Sequence, residues 1–238
     1  TSLALSMISD DSFYMEMKKD YAPEMVTAFI RLNGATVGCV ANRSEVYTDG
    51  EKTATYDAAL TAAGCEKAAA FVNFCNAFEI PVLTLVNVDG YKNCKCNEKK
   101  IAKAAARLTY AFANADVPKV TVVVGKANGT AGLTMNSKSI GSDIVYAWKN
   151  AKIGVMEAAP AVKIMYADEI AKADNAAALI NEKTAQYNEM QASALAAAKR
   201  GYVDDIIEAS ETRQRVAAAF EMLFTKREDR PSKKHGTI

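Results

Sequence analysis

The sequence predicts an α/β fold, in which short β-strands alternate with helices, and three features carry this prediction. Two β-prone runs meet at Asn33-Gly34, the residue pair best suited to a type I′ turn between antiparallel strands. Pro81 to Val88 is a continuous apolar run rich in β-branched residues, which is typical of a strand covered on both faces. Ala-rich stretches with apolar residues at helical spacing lie between such runs. Consecutive elements should therefore form β-α-β units over a largely parallel sheet.

The elements follow one another along what we interpret as a single domain, residues 1–238. Residues 1–25 form a polar N-terminal segment, and a hairpin of Val26 to Leu32 and Thr36 to Ala41 comes next. The remaining predicted elements are a helix from Thr55 to Phe78, the strand Pro81 to Val88, a helix from Ala102 to Ala115, a strand from Lys119 to Val124, a glycine-containing loop from Gly125 to Gly132, strands from Asp143 to Trp148 and from Lys152 to Met156, a helical region from Ala167 to Lys199, and a strand from Tyr202 to Ile207. Ser210 is the predicted N-cap of a last helix that runs to about Lys226, and residues 227–238 should form an extended, solvated tail.

Composition narrows the function classes. The 29 Lys and Arg residues nearly balance the 28 Asp and Glu residues, so no general attraction to nucleic acid or to an anionic membrane is expected. No apolar run approaches a membrane span, and the charged N-terminus is unlike a signal or transit peptide. The 5 cysteines are an odd number scattered along the chain, which argues against a disulfide framework and favours a reducing, cytoplasmic compartment.

Several strings of the sequence point to one family. They are Phe71 to Pro81, Leu108 to Ala113 with Val117 to Thr121, Tyr146 to Trp148 with Ile153 to Met156, Ala196 to Asp204 with Glu211 to Arg213, and Lys226 to Pro231. Together they resemble the C-terminal half of biotin-dependent acyl-CoA carboxyltransferases, such as the propionyl-, methylmalonyl- and acetyl-CoA carboxyltransferase subunits and the carboxyltransferase subunits of biotin-dependent decarboxylases. The resemblance covers nearly the whole chain. It implies a crotonase-like (ClpP/crotonase) fold of repeated β-β-α units with C-terminal helices.

The resemblance also implies a reaction and a set of partners. The family moves a carboxyl group between N1′ of biotin and the α-carbon of an acyl-CoA, so biotin would come on a biotin carboxyl carrier protein and a coenzyme A thioester would be the substrate. Family subunits contain two crotonase-like halves, and Asp11-Ser12-Phe13 and Ala28 to Gly38 resemble the start of the second. We therefore expect a separate N-terminal-half subunit as partner, and an isolated chain that is inactive. Ala-rich surfaces between Ala158 and Ala198 should support a homo- or hetero-oligomer.

The expected chemistry depends on backbone groups rather than on an acid–base pair. The only histidine is His235, and no convincing Ser-His-Asp or Cys-His set is present. The family reaction needs N–H donors that stabilise negative charge on the biotin ureido oxygen and on the thioester oxygen. In the family a Tyr-Gly-Gly-Ala motif after a strand forms the second-half oxyanion hole, and the resemblance places Asn128, Gly129, Thr130 and Ala131 at this motif. The backbone N–H groups of Thr130 and Ala131 would be the donors, helped by a helix N-terminus near Ala131.

This motif departs from the family pattern in two places. Thr130 replaces the second glycine, and Gly132 replaces the following aromatic residue. Thr130 keeps its N–H, but its β-branched side chain restricts the backbone and adds bulk where a ligand ring should approach. An ordinary strand-to-helix turn without oxyanion function is therefore the alternative. Leu133 occupies the family position near the acyl substituent, and it is either a pocket wall or a core residue.

The second family loop is also altered. It normally contains Pro-Gly, an aromatic residue and a further glycine, and here Asp89 replaces the proline while Gly90 and Tyr91 are retained. Nearby lysines change the charge of this loop, which either binds an anionic group or is a solvated surface loop. Cys94-Lys95-Cys96 has no second thiol pair at zinc-finger spacing, so we predict no metal site.

Other candidate residues receive structural interpretations. Trp148 and Tyr146 should pack in the core rather than hold biotin, and Asp204-Asp205 should be a solvated turn rather than an acid–base pair. Lys233 and Lys234 belong to a tail that is more typical of disorder than of a CoA phosphate contact.

Two functions remain in competition. One is a carboxyltransferase half-subunit that provides the biotin-side oxyanion hole, which Gly90, Gly129 and Ala131 favour. The other is a catalytically degenerate structural subunit of a biotin-dependent complex, which Asp89, Thr130 and Gly132 favour. A crotonase-type hydratase or CoA hydrolase is a weaker third interpretation, because the loops lack a convincing acidic pair.

Overall fold

The protein is described by a computed structural model that covers residues 1–48 and 51–228. The strands are β1 Met15–Met17, β2 Met25–Leu32, β3 Ala35–Asn42, β4 Glu45–Thr48, β5 Glu51–Thr55, β6 Ala59–Leu60, β7 Val82–Val88, β8 Gly90–Tyr91, β9 Lys119–Asn128, β10 Ile144–Trp148, β11 Lys152–Gly154 and β12 Asp205–Ile207. The helices are α1 Ser2–Ile8, α2 Ala62–Ala77, α3 Lys95–Asn114, α4 Gly129–Thr134, α5 Ala158–Met165, α6 Ala167–Lys172, α7 Ala176–Met190, α8 Ala194–Lys199 and α9 Thr212–Leu223. Short 3₁₀ turns lie at Asp10–Ser12, Lys138–Ile140 and Ala209–Glu211.

One mixed sheet organises the chain. Its strand order is β1-β2-β3-β7-β9-β10-β12, and β11 continues the pairing of β9. The strands from β3 to β12 run parallel, whereas β1, β2 and β3 pair antiparallel. Because β3, β7 and β9 are parallel neighbours, their carboxyl ends meet at one edge of the sheet. That edge is where Asn42, Val88 and Asn128 lie.

Two apolar layers cover the sheet. Val72 of α2 and Leu108 of α3 pack on one face together with Val82 and Val86 of β7. Leu5 of α1 and Val216 of α9 pack on the other face together with Leu83 and Leu85 of the same strand. β7 therefore buries both of its faces, which explains why its sequence is apolar without alternation.

The predicted hairpin is present. β2 and β3 pair from Met25 opposite Asn42 to Leu32 opposite Ala35. Asn33 and Gly34 have φ values of 50° and 82° at the turn. These are the left-handed conformations that a type I′ turn requires, so the Asn-Gly prediction is correct for a local reason.

The predicted helix from Thr55 to Phe78 begins too early. Helix α2 starts at Ala62, where the Thr61 hydroxyl accepts a hydrogen bond from Gly64 N at 2.9 Å. The preceding residues instead form β5, which pairs with β4, and β6, which pairs with β8. The β4–β5 pair has no counterpart among the predicted elements.

The predicted loop from Gly125 to Gly132 is also wrong. β9 continues to Asn128, and α4 follows without an intervening loop. A bulge between Val86 and Val88 of β7 accompanies this extension, because Asn87 Oδ1 accepts a hydrogen bond from Lys126 N at 3.0 Å. The side chain of Asn87 occupies the space that a Cβ at Gly125 would need.

The helical region from Ala167 to Lys199 is three helices, α6, α7 and α8. Ala173 is extended after α6, with φ −79° and ψ 134°. Asn175 Oδ1 then caps α7 by accepting from Ala178 N at 3.1 Å. Ser193 Oγ caps α8 in the same way, at 3.1 Å from Ala196 N. Side chains that cap new helices therefore interrupt a composition that favours one long helix.

Several predicted element boundaries are wrong. Ser210 is not an N-cap, because Glu208 and Glu211 form a capping box across the 3₁₀ turn and α9 begins at Thr212. The last strand is confined to Asp205–Ile207, β11 ends at Gly154, and α3 starts at Lys95 rather than Ala102. The N-terminal segment 1–25 is less polar in its packing than its sequence suggests, since Leu5 is fully buried. Of the predicted tail 227–238, residues 229–238 lie outside the described part of the chain.

Candidate functional site

A cavity of about 510 Å³ lies beside α4, where β9 ends. Its lining combines apolar residues of the strands with residues of the helices and turns that follow them. The lining residues are Val86, Thr121, Val123, Ala127, Gly129, Thr130, Gly132, Leu133, Met135, Ser137, Lys138, Ser139, Val145, Ile153, Gly154, Val155, Tyr187, Gln191, Arg200 and Tyr202. The size is in the range that takes a small ligand.

The strand-to-helix junction at this cavity requires a glycine. Gly129 has φ +57°, and a Cβ added there would lie 2.9 Å from Val155 O. Both the dihedral angle and the space therefore exclude other residues. After this sharp junction, the backbone N–H groups of Thr130 and Ala131 lie in the first turn of α4, where helix geometry provides no carbonyl acceptor one turn back.

Asn128 does not cap these donors, although asparagine is a preferred N-cap residue. Its Nδ2 donates instead to Asp89 Oδ1 at 3.0 Å. Asp89 follows β7, which neighbours β9 in the sheet, and Val88 is opposite Ala127. The Asn128 amide therefore bonds to the neighbouring strand end, and the first turn of α4 has no side-chain cap from this residue.

A lysine fixes Asp89 in this position. Lys126 Nζ donates to Asp89 Oδ2 at 2.9 Å and to Glu157 Oε1 at 2.5 Å. The hydrogen bond with Glu157, and to a lesser extent the one with Asp89, raises the pKa of Lys126 above its usual value. A charged bridge thus ties the end of β7 to the end of β9 and to the start of α5.

The two loops singled out in the sequence meet at α4. The Tyr91 hydroxyl lies 3.2 Å from Thr134 Oγ1, and Thr134 Oγ1 donates to Thr130 O at 2.9 Å. Gly90 and Tyr91 pair with β6 and do not line the cavity. A Cβ at Gly90 would meet no atom within 4 Å, so this glycine is not required by packing.

The remaining predicted residues of α4 have different environments. Ala131 is 2% exposed and, unlike Thr130 and Gly132 on either side, is not among the residues that line the cavity. A Cβ at Gly132 would lie 2.7 Å from the carbonyl carbon of Ala127, so the aromatic residue of the family pattern does not fit this arrangement. Leu133 is 46% exposed and lines the cavity, which makes the core-packing interpretation of Leu133 wrong.

The sequence interpretation missed several polar residues at the cavity. Arg200 Nη1 donates to Gln191 O at 2.9 Å, and its Nη2 contacts Gln191 Oε1. Lys138 Nζ donates to Asp204 Oδ2 at 2.8 Å. Arg200 and Tyr202 belong to a string that already carried the family resemblance, but 66 residues separate Lys138 from Asp204, and only the fold brings such residues together.

The residues interpreted as structural behave so. Tyr146 is 9% exposed in the core, and Trp148 packs against the same cluster and donates from Nε1 to Thr212 Oγ1 at 2.9 Å. Asp204 and Asp205 have separate partners, Lys138 and Arg215, so they do not form an acid–base pair. His235, Lys233 and Lys234 lie outside the described residues.

Residues 1–48 and 51–228 contain no cluster of three or more His, Cys, Asp or Glu side chains that could hold a metal ion. Among the described helices, none combines the length and apolar character that crossing a bilayer requires.

Comparison with known proteins gives a consistent result. The carboxyl transferase domain matches residues 3–238. The methylmalonyl-CoA carboxyltransferase 12S subunit of Propionibacterium freudenreichii subsp. shermanii is 41% identical over 235 residues, which are 98% of this chain and 43% of that protein. The methylmalonyl-CoA decarboxylase subunit alpha of Propionigenium modestum is 40% identical over 98% of this chain and 44% of its own length. The chain therefore spans about half the length of the curated relatives it matches.

Solved structures show the same likeness. A transcarboxylase 12S crystal structure, described as a hexamer assembly with methylmalonyl-coenzyme A and methylmalonic acid bound, superposes with a TM-score of 0.88 at 41% identity, over 99% of this chain and 44% of the other. The β subunit of Pseudomonas aeruginosa geranyl-CoA carboxylase superposes with a TM-score of 0.79 at 23% identity, over 100% of this chain and 44% of the other, which supports the fold alone.

Proposed function

The chain belongs to the carboxyl transferase domain family and has its crotonase-type fold, and from that premise we propose that it forms the biotin-side half of an acyl-CoA carboxyltransferase site. The open N-terminus of α4 beside the 510 Å³ cavity is the observation that carries this proposal. Two adjacent N–H donors, those of Thr130 and Ala131, point from a rigid junction rather than from a free loop. Such preorganised donors stabilise a developing oxyanion without reorganisation.

The cavity fits the bicyclic ring of biotin. Apolar strand residues such as Val86 and Val123 line one part, and Leu133 adds an exposed apolar side chain at α4. Biotin, when bound, supplies the ureido nitrogen that carries the carboxyl group. The chain itself holds the ring against the strands and directs the Thr130 and Ala131 N–H groups at the ureido oxygen, where negative charge accumulates as carbon dioxide leaves. An acyl-CoA would receive the carboxyl group, and the other half of the site would come from the region that the longer relatives possess in addition.

Under the structural-subunit alternative, the same altered loops reflect a loss of catalytic function. The contact between Asp89 and Asn128 argues against it. Asp89 departs from the family pattern, and together with Asn128 it forms a hydrogen-bonded pair beside the N-terminus of α4, which has no side-chain cap. A loop that had simply lost its function would have no reason to retain this arrangement together with a required Gly129.

We further propose an assembly and a location. The relative whose structure is described as a hexamer assembly and a multienzyme core supports an oligomer for this chain. A biotin carboxyl carrier protein as partner follows from the reaction proposed above. Large apolar side chains are exposed on α5 and α7, among them Ile164, Met165 and Met190. All 5 cysteines are unpaired, which supports the cytoplasm as the compartment.

The test compares two substitutions at one position in the assembled enzyme. Thr130→Pro removes an N–H, and the preceding Gly129 tolerates a following proline better than other residues would. Thr130→Val keeps the N–H and nearly the same shape. Carboxyl transfer between biocytin and an acyl-CoA should fall about 100- to 1000-fold in Thr130→Pro, as for loss of one oxyanion donor, and it should change little in Thr130→Val.

Two further variants complete the design. Ala131→Pro should resemble Thr130→Pro, and Thr130→Gly should raise the rate because it removes bulk beside the donors. If both proline variants fold and transfer carboxyl at the wild-type rate, the helix N-terminus is not the oxyanion hole, and the structural-subunit interpretation replaces ours.

A further inference from the structure

Two cysteines lie side by side away from the cavity. Cys94 Sγ and Cys96 Sγ are 2.9 Å apart at the N-terminus of α3. Cys94 is partly exposed and Cys96 is exposed, so solvent reaches both thiols. The carboxyl transfer chemistry proposed above uses neither of them.

The two thiols are chemically unequal. Cys94 is the N-cap residue of α3, a helix of 20 residues, whose N-terminus favours negative charge. A hydrogen bond from the Cys96 thiol, and then one from the backbone N–H of Asn97, lower the pKa of Cys94. The same thiol contact raises the pKa of Cys96. The lowered pKa of Cys94 makes it the more readily ionised of the two thiols.

The surface around the pair is basic. Lys92, Lys95, Lys99 and Lys100 lie in residues 92–100, and Glu98 is the single acidic residue in those nine positions. Lys92 also contributes to the lowered pKa of Cys94. This charge distribution suits an anionic partner.

Hydrogen bonds from the next residue hold the pair in place. Asn97 Nδ2 donates to Lys92 O at 2.8 Å, and Asn97 Oδ1 accepts from Ala62 N at 2.6 Å. Asn97 N also donates to Cys94 O at 2.9 Å. The first turn of α3 is thus anchored to the start of α2, so the closeness of the two sulfur atoms does not depend on a free loop.

We propose that Cys94 and Cys96 form a thiol–disulfide exchange site that accepts anionic low-molecular-weight disulfides. The Cys94 thiolate attacks one sulfur atom of the disulfide, forms a mixed disulfide and releases the first thiolate. Cys96 then loses its proton, attacks Cys94 Sγ and releases the second thiolate. The protein pair is oxidised by two electrons to a disulfide, and the small disulfide is reduced to two thiols.

The other three cysteines serve as an internal control. Cys39, Cys65 and Cys75 are fully buried. Burial raises the pKa of Cys65 and of Cys75 to about 12, and it raises that of Cys39 as well. They should stay unmodified under native conditions.

The experiment follows the full chain during incubation with glutathione disulfide, by intact mass and by mapping of trapped thiols. The wild type should lose the mass of two hydrogens without keeping glutathione. Cys96→Ser should retain one glutathione on Cys94, because the resolving thiol is gone. Cys94→Ser should react at least about tenfold more slowly, because the remaining thiol lacks the lowered pKa. Cys94 is partly exposed and Cys96 is exposed, and serine is a preferred N-cap residue at position 94, so both variants should keep the fold.

Two comparisons decide the outcome. Stable glutathione adducts on the wild type, or equal rates for Cys94→Ser and Cys96→Ser, would overturn the assignment of the two roles. Faster reaction with glutathione disulfide than with the neutral bis(2-hydroxyethyl) disulfide, decreasing as salt is added, supports the anionic preference. Equal salt dependence for the two disulfides would overturn that preference.

Discussion

Replacing Asp89 by alanine tests how the helix N-terminus is kept open. In the structure Asp89 Oδ1 accepts a hydrogen bond from Asn128 Nδ2 at 3.0 Å, and the Asn128 side chain does not cap α4. Without the carboxylate, the Asn128 side chain is free to rotate toward its own helix and accept from the first-turn N–H groups. A ligand oxygen must then displace this cap before it can use the same donors.

The size of the effect follows from the strength of a cap. An asparagine cap stabilises a helix by about 0.5–2 kcal/mol, so competition with it should lower carboxyl transfer about 2- to 30-fold. Asp89→Ala also loses the partly exposed ion pair with Lys126, which is worth about 0.2–1 kcal/mol. The gained cap offsets that loss, and the free energy of unfolding should change by less than about 1 kcal/mol. Activity should therefore fall while stability stays nearly constant.

Two matched variants separate this mechanism from general damage. Asp89→Asn keeps an oxygen that accepts from Asn128, so most of the rate should remain. Asp89→Ala combined with Asn128→Ala removes the competing cap, so the rate should recover relative to Asp89→Ala alone. Carboxyl transfer in the assembled enzyme and urea unfolding of each variant are the measurements. A double variant that is slower than Asp89→Ala would refute the capping argument.

Further predictions concern stability. Gly132→Ala should destabilise the fold by about 1–3 kcal/mol, because its Cβ would lie 2.7 Å from the Ala127 carbonyl carbon. Gly90→Ala places a Cβ in open space and should change the free energy of unfolding by less than about 0.5 kcal/mol. Urea unfolding in which Gly90→Ala is the more destabilised of the two variants would contradict these contacts. Burial lowers the pKa of Lys119 to about 8, although its Nζ donates to Phe112 O at 2.6 Å. The pKa of Lys119 is lower in the folded state than in the unfolded state, so the unfolded state binds more protons between pH 8 and about pH 10.5. The free energy of unfolding of the wild type, relative to that of Lys119→Met, should therefore rise over this pH range. A difference that does not vary with pH would exclude this role of Lys119.

The parts of the fold that the sequence predicts are those with a local cause. The Asn33-Gly34 turn needs two left-handed residues, and these two residue types adopt that conformation readily. β7 is apolar without alternation because both of its faces are covered. The family resemblance supplied the overall architecture and the place of the α4 motif, where the cavity lies.

The parts that the sequence misses depend on partners distant in the chain. β5 needs β4, and β6 needs β8, which follows it by about 30 residues, so their short and mixed sequences show no clear period. β9 extends past Val124 because the Asn87 side chain of the neighbouring strand bonds to Lys126 N at 3.0 Å. A glycine-containing stretch then continues as a strand, which its own propensity opposes.

The altered site residues also depend on a partner that is distant in the chain. Considered alone, Asp89 is a departure from the family pattern and counts as evidence for lost function, but its hydrogen bond with Asn128 changes this interpretation. The two residues are 39 residues apart in sequence, yet they follow neighbouring parallel strands in which Val88 is opposite Ala127. The register places their side chains in contact, and the contact explains why Asn128 leaves the helix N-terminus uncapped. A substitution that weakens the functional interpretation when considered alone thus supports it in its structural context, because Asp89 provides the acceptor for the Asn128 amide.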